Sequence, residues 1–252
     1  MVTEVKEFQC LKCGDCCKDT LSVNKNIGTG FFSEYMYLHT APSLPIFDWE
    51  KPNLETRFQT KGVNIVPSTL IYDLNSKTSI VIQYTTDMTL CPHLTESNDC
   101  LIYKHRPITC KIFPLKIGIL KEIADNIFGF DMGKCRFDYS LEEFNEKIID
   151  ETNEPQFLLN LYIRYKDAFK FALFGEFYDL FCNIKLDEFI QSGIIKPFTA
   201  SGIEKKFRTK IRKSKSIGIS EFIQETLDVT EKEILDYADM MTENLINDIK
   251  SN

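Results

Sequence analysis

The run FQCLKCGDCCKD, residues 8–19, places four of the chain's nine cysteines within eight positions. No other stretch restricts so strongly what the chain can become. Thiols this close end as disulfides, as ligands of a metal or cluster, as a redox pair, or as small packed residues. Cys10, Cys13 and Cys16 are each separated by two residues, a gap that lets successive thiolates fold back toward one centre. Gly14, inside the run, supplies the backbone freedom such a loop needs. Zinc takes four ligands in a tetrahedron, with sulfur at about 2.3 Å. An iron–sulfur cubane takes four thiolates, commonly three from one loop and one from elsewhere. Cys16 and Cys17 are neighbours, and neighbouring side chains diverge in most backbone conformations, so they suit two places better than one.

Compartment bears on the choice. The opening MVTEVKEFQC mixes acids and bases without an apolar run and does not read as a secretory signal. No stretch reaches the roughly 18 uninterrupted apolar residues of a membrane span. The sequence therefore predicts a cytoplasmic protein with no membrane partner, in which thiols stay reduced and clustered cysteines hold metal more often than they pair. Length and composition, 252 residues with 43% hydrophobic and 27% charged, allow one large domain or two small ones with a real core. A net charge of −7 does not favour nucleic acid as a partner.

Eight of the nine cysteines fall between Cys10 and Cys135, and seven of the nine prolines lie in the first 140 residues. The segment CPHLTESNDCLIYKHRPITCKIFPL holds Cys91, Cys100 and Cys110 among Pro92, Pro107 and Pro114. Prolines stiffen loops, so thiols held there need less ordering when a metal binds. GKCRF then brings Cys135, and Cys182 stands alone in an apolar helical pattern, where it reads as a small core residue. His93 and His105 lie inside the cysteine region as candidate ligands or donors to thiolates, with eight thiols making a ligand role for either secondary. His39 has no visible partner. Arg106, Lys104 and Lys111 are placed in sequence to offset the −2 formal charge that four thiolates leave on zinc or on a cubane.

The elements read as follows. NIVPSTLIYDLNSKTSIVIQY predicts a hairpin over residues 65–84 around DLNSK. LKIGIL at 115–120 and NIFGFDM at 126–132 are further short strand candidates. Residues 28–61 read as a long loop with one helical turn near SEYMYL. SLEEFNEKIID opens with a capping box, Ser140 with Glu143. NEPQFLLNLYIRYKDAFKFALFGEFYDLF predicts a helix with Pro155 in its first turn and Phe157, Leu161, Tyr165 and Ala168 at helical spacing. TEKEILDYADMMTENLINDIK begins with a second capping box, Thr230 with Glu233, and carries a stripe of Leu235, Ala238, Met241, Leu245 and Ile249. The run EKKFRTKIRKSKS, residues 204–216, holds seven bases against one acid and reads as a solvated helix face offsetting an acidic chain. The expected fold is α+β: a cysteine-rich, metal-stabilised domain with short strands over residues 1–139, then a mostly helical region over residues 140–252.

The run FQCLKCGDCC, followed in order by CPHL, CLIY, HRPITCKIFP and a late lone cysteine, resembles the CxxCxxCC cysteine-cluster family. That family is often called YkgJ-type and is described as a zinc- or iron-chelating domain. The resemblance covers roughly residues 8–137. It implies Cys10, Cys13, Cys16, Cys17, Cys91, Cys100, Cys110 and Cys135 as ligands of a [4Fe–4S] cluster or Zn²⁺. Arg106–Pro107 and Phe113–Pro114 match the family's Arg-Pro and Phe-Pro pairs, while Lys111 stands where an arginine is expected. The same cluster type occurs in flagellin lysine-N-methylases, where the resemblance implies an iron–sulfur centre.

Two function classes follow. One is a metal-binding protein whose thiolate centre is structural or hands metal on. The other is an iron–sulfur enzyme, methylase-like or redox, with a protein substrate or partner. No G-x-S-x-G, H-E-x-x-H, kinase signature or G-x-G-x-x-G loop supports a particular reaction, and the sequence leaves open whether the chain is an enzyme.

Overall fold

The structure is a computed structural model. It describes residues 14–18, 35–38, 43–88, 90–115, 118–120, 154–199 and 205–251. By contacts these fall into two units. One takes the described residues within 1–16, 94–177 and 236–252, and the other those within 17–93 and 178–235. The fold is α+β, with a C-terminal region that is mostly helical.

The second unit is built on the hairpin that the sequence predicts. Strands β3 (Ile65–Asp73) and β4 (Thr78–Thr86) pair antiparallel, with Asp73 opposite Thr78. Their β-branched residues suit a pleated, buried surface, and Leu70, Ile71, Ile80 and Val81 are almost wholly enclosed. Asp73 shapes the turn. Its Oδ1 accepts from the Asn75 and Lys196 amides at 3.0 and 2.9 Å, and its Oδ2 from the Ser76 amide and hydroxyl at 2.9 and 2.6 Å. Burial pushes this carboxyl up, but the bonds from Ser76, Lys196 and Asn75 outweigh burial and leave it below the ordinary aspartate value. Strand β1 (Met36–Leu38) extends the sheet beside β3. Strand β2 (Pro45–Ile46) pairs antiparallel with the end of β4, and β5 (Ser216–Gly218) pairs parallel with its beginning.

A buried carboxylate ties three distant segments of this unit together. Asp48, in a 3₁₀ turn over Asp48–Glu50, accepts from the Tyr178 hydroxyl at 2.5 Å through Oδ1. Through Oδ2 it accepts from the Ser220 amide and hydroxyl at 2.7 and 2.6 Å. Ser220 sits in the first turn of a helix over Ile219–Leu227, so Asp48 satisfies from afar a donor that a helix start leaves open. Gly218 makes room for this. A Cβ there would lie 2.9 Å from Asp48 Oδ2.

Several elements depart from the sequence reading. Within residues 28–61 the loop expectation gives way to α2 (Lys51–Gln59), after a short turn α1 (Asp15–Lys18) earlier in the chain. Pro52 in its first turn and the i, i+4 pair Leu54 and Phe58, both buried, form this helix. The end of SEYMYL is strand β1 and not a helical turn, because β3 offers it an edge to pair with and a ladder overrides a weak local pattern. In LKIGIL, Ile119 and Leu120 are helical. Ile119 is fully buried, and the Leu120 amide donates to Glu176 Oε2 at 3.1 Å. A short apolar run of this kind reads equally well as strand or buried helix. NIFGFDM and the Ser140 capping box lie outside the described residues, as does the boundary at 139/140.

The long helices come closer to expectation. After α3 (Ile108–Lys111), α4 runs Glu154–Gln191, with a break in helical geometry at Tyr165 (φ −122°, ψ 34°). Phe157, Leu161, Tyr165 and Ala168 are all buried, as their spacing predicts. Helix α5 (Lys205–Arg212) and α6, the Ile219–Leu227 helix, precede α7 (Glu231–Ser251). The Thr230–Glu233 capping box forms as read. Thr230 N–H donates to Glu233 Oε2 at 2.7 Å, and the Glu233 amide donates to Thr230 Oγ1 at 3.2 Å. The buried stripe of α7 is turned from the expected one. Ile234, Ala238, Thr242, Ile246 and Ile249 are enclosed, whereas Leu235, Met241 and Leu245 are half-buried. Thr242 lies in the stripe because its hydroxyl donates to the Ala238 carbonyl at 2.8 Å.

Candidate metal centre

The predicted ligands arrive on short, turn-held pieces of chain. Cys16 and Cys17 fall in α1. The Cys91 amide donates to the Cys17 carbonyl at 3.3 Å, which brings the two strands of chain bearing these cysteines side by side in the second unit. In the first unit Cys100 forms an isolated bridge with Leu94, and its carbonyl accepts from the Tyr103 amide at 3.2 Å. Cys110 lies in α3, where its amide donates to the Pro107 carbonyl at 2.9 Å. The Thr95–Asp99 loop between Leu94 and Cys100 closes on itself through Asp99 N–H to Thr95 Oγ1, 2.9 Å. Ile102, Ile108 and Ile112 anchor these turns in the core.

Cys17, Cys91, Cys100 and Cys110 are half-buried, neither sealed in the core nor fully open. Cys10, Cys13 and Cys135 lie outside the described residues. Among the described residues, no three His, Cys, Asp or Glu side chains stand close enough together to hold an ion.

Three observations test whether a metal or cluster suits the residues present. Thiolates are soft donors that favour zinc and iron–sulfur centres. Gly14, between Cys13 and Cys16, is buried at φ +76°, and a Cβ there would sit 2.9 Å from Asn98 Oδ1. The left-handed turn and the close approach both require glycine. His93, two residues after Cys91, is 3% exposed and packs edge-on against Phe58 with ring centroids 4.9 Å apart. Its Nε2 is buried without a hydrogen-bond partner. Burial, reinforced by Lys61 and Arg57, keeps the imidazole below its ordinary pKa and therefore neutral at neutral pH. The donor chemistry, the glycine turn and the neutral imidazole fit a thiolate-bound metal.

Two of the three cations in this segment rest on aromatic rings. Arg106 lies 3.8 Å over the Tyr103 ring and donates from Nε to the Tyr103 carbonyl at 3.1 Å. Lys111 stands 5.0 Å from the Phe171 ring centre. Lys104 and His105 are exposed. Cys182 is a core residue, as read. Burial, with the charges of Asp48 and Asp179, pushes its thiol well up and keeps it protonated. The Asp48 hub escaped sequence reasoning, since nothing in the primary pattern links Asp48, Tyr178 and Ser220.

Half-buried cysteines carried on short turns are the feature this chain shares with a cysteine-rich metal-binding class. A family model described as "CxxCxxCC: Putative zinc- or iron-chelating domain" matches residues 9–136, just over half of the chain, and the chain belongs to that family. No curated protein and no solved structure matches it. Among the described residues no helix is long and apolar enough to cross a membrane.

Proposed function

We propose that the chain carries a thiolate-ligated centre, a [4Fe–4S] cluster or Zn²⁺, in a chelating domain over residues 1–139. Its ligands are drawn from Cys10, Cys13, Cys16, Cys17, Cys91, Cys100, Cys110 and Cys135. The observation that carries the reading is the family match over the segment that holds all eight of these cysteines. The Cys17–Cys91 backbone bond supports placing those two thiols in one ligand set. The regular C-x2-C-x2-C spacing suits a cubane, which takes three thiolates from one loop, and we favour the cluster over zinc on that ground. Thiolates of this kind persist in a reducing, cytoplasmic setting. When bound, the centre supplies cross-links between segments that have few ladder bonds of their own.

The test is metal analysis with a visible spectrum on protein purified without oxygen. Brown protein absorbing near 400 nm, with iron and sulfide in proportion, is the expected result. Colourless protein with stoichiometric zinc moves the reading to the structural zinc form. Protein holding neither iron nor zinc, with the cysteines joined as disulfides, ends it.

A further inference from the structure

We propose that the turn end of the sheet in the second unit is a docking surface for an anionic lipid bilayer. The proposal stands apart from the metal centre and uses no cysteine.

Four lanes of chain lie side by side at that end. Pro197 bridges Asp73 of β3, and Leu74 N–H donates to the Lys196 carbonyl at 2.9 Å. Strand β3 pairs with β4 across the Leu74–Lys77 turn. Beyond β4, the Ser79 amide donates to the Lys215 carbonyl at 2.9 Å, and the Ser79 and Ser214 hydroxyls meet at 2.6 Å. At ordinary strand spacing four lanes span about 14 Å. Each outer or turn position brings an exposed lysine: Lys196, Lys77, Lys213 and Lys215. Between them the turn tips expose Leu74 (37%) and Ile194 (46%), held together by Asn75 Nδ2 donating to the Gly193 and Ile194 carbonyls.

Among the described residues, none neutralises these cations locally. The ion pairs among the described residues are Lys51–Glu55, Lys170–Glu243 and Lys185–Glu188, and none involves these four lysines. Asp73, the acid inside the four lanes, spends its carboxylate on the turn. At the nearby end of α4, Glu188 pairs with Lys185 and Asp187 accepts from Gln191. Lys77 also sits at φ +58°, a left-handed conformation that costs a lysine more than a glycine or asparagine.

Charge and apolarity together select the partner. The chain as a whole is acidic, at −7, so a basic patch is what lets it approach an anionic surface. Lysines hold phosphate headgroups while their stems and two aliphatic tips enter the interface. Single-stranded nucleic acid calls for exposed rings on which bases stack. The aromatic residues at this end instead face inward: Tyr72 is 2% exposed and packs with Leu70 and Ile211, against Phe198. The run at 204–216, read from sequence as a solvated face, thus contributes Lys213 and Lys215 to a patch completed by Lys196 and by Lys77, the latter more than a hundred residues away.

The test is flotation of the full chain with vesicles of phosphatidylcholine, and with an equal mixture of phosphatidylcholine and phosphatidylglycerol. Retention on the mixed vesicles alone, falling as salt rises, is expected. The triple variant Lys196→Glu, Lys213→Glu and Lys215→Glu lowers retention by at least about tenfold, with circular dichroism and metal content unchanged. Leu74→Ser with Ile194→Ser lowers it less and leaves the salt dependence in place. Equal retention on both vesicles, or retention indifferent to the lysine reversals, overturns the proposal. So does salt-sensitive capture of single-stranded RNA by a chain that ignores the vesicles.

Discussion

The β3–β4 hairpin and the cysteine segment from Cys91 to Cys110 are each about twenty residues long, and they reach order by different means. The hairpin satisfies itself. Its ladder runs from Ile65 to Thr86, its turn is closed by three bonds to Asp73 with a fourth from the Lys196 amide, and its central residues are enclosed. The cysteine segment has one isolated bridge, a 3₁₀ turn and a four-residue helix, with Leu101 (58%) and Tyr103 (42%) exposed. A segment with so few ladder bonds and so little buried apolar area sits at the low end of local stability unless something else joins its turns. The hairpin is held by a continuous ladder and a closed turn within one sheet, whereas the cysteine segment carries thiols that an inorganic centre would bind together.

The largest expected effect tests that contrast directly. Removing the metal, or replacing Cys13 by serine, is expected to loosen residues 90–115 while the hairpin amides stay protected. Structural zinc supplies about 10–16 kcal/mol in small peptides, more than many domains possess in total. Hydrogen exchange read by mass spectrometry checks this region by region. Equal protection before and after complete metal removal breaks the comparison, because the cysteine turns would then be self-supporting.

A second effect sharpens it from the unit that contains the hairpin. Asp48→Ala leaves the Tyr178 hydroxyl and the Ser220 amide buried without their acceptor, at a cost of about 3 kcal/mol. Urea unfolding measures it. Arg106→Ala, in the cysteine segment, removes a cation stacked on the half-exposed Tyr103 and is expected to cost no more than about 1 kcal/mol. If the two variants lose equal stability, the two regions do not differ in the way described.

What the sequence made legible follows the same division. Local periodicity and turn chemistry revealed the 65–84 hairpin, the Phe157–Ala168 stripe of α4 and the Thr230 cap, because those signals lie within a few residues of each other. The β1 strand was misread since its partner, Leu70, lies some thirty positions away. The α7 stripe was rotated because counting apolar residues alone passes over Thr242, whose hydroxyl is satisfied inside its own helix. The cysteine positions were readable as a ligand set by type and spacing. The Gly14–Asn98 contact and the orphaned His93 nitrogen were not, since both depend on chain segments that only folding brings together.

A smaller effect concerns pH. Asp73 lies below its ordinary value in the folded chain. Its contribution is therefore fully present above the unfolded aspartate value, about 3.9, and is lost as pH falls through the lower folded value. Acid titration of stability is expected to show Asp73→Asn flatter than the unaltered chain below about pH 4, with a loss at neutral pH of about 1–2 kcal/mol. An unchanged acid limb would mean that the turn does not depend on the charged carboxylate.

The smallest effect removes one cap. Thr230→Ala deletes the side-chain acceptor of the Glu233 amide at the start of α7 and is expected to cost about 1 kcal/mol. Because this donor and acceptor are exposed, water replaces the lost bond, which is why the change is smaller than at Asp48. The cap is closed by its own residues and involves no metal. Its cost should be the same in metal-free and metal-loaded protein, as read by paired urea titrations. A cost that appears only in the loaded form would tie α7 to the cysteine turns and dissolve the division between the two regions.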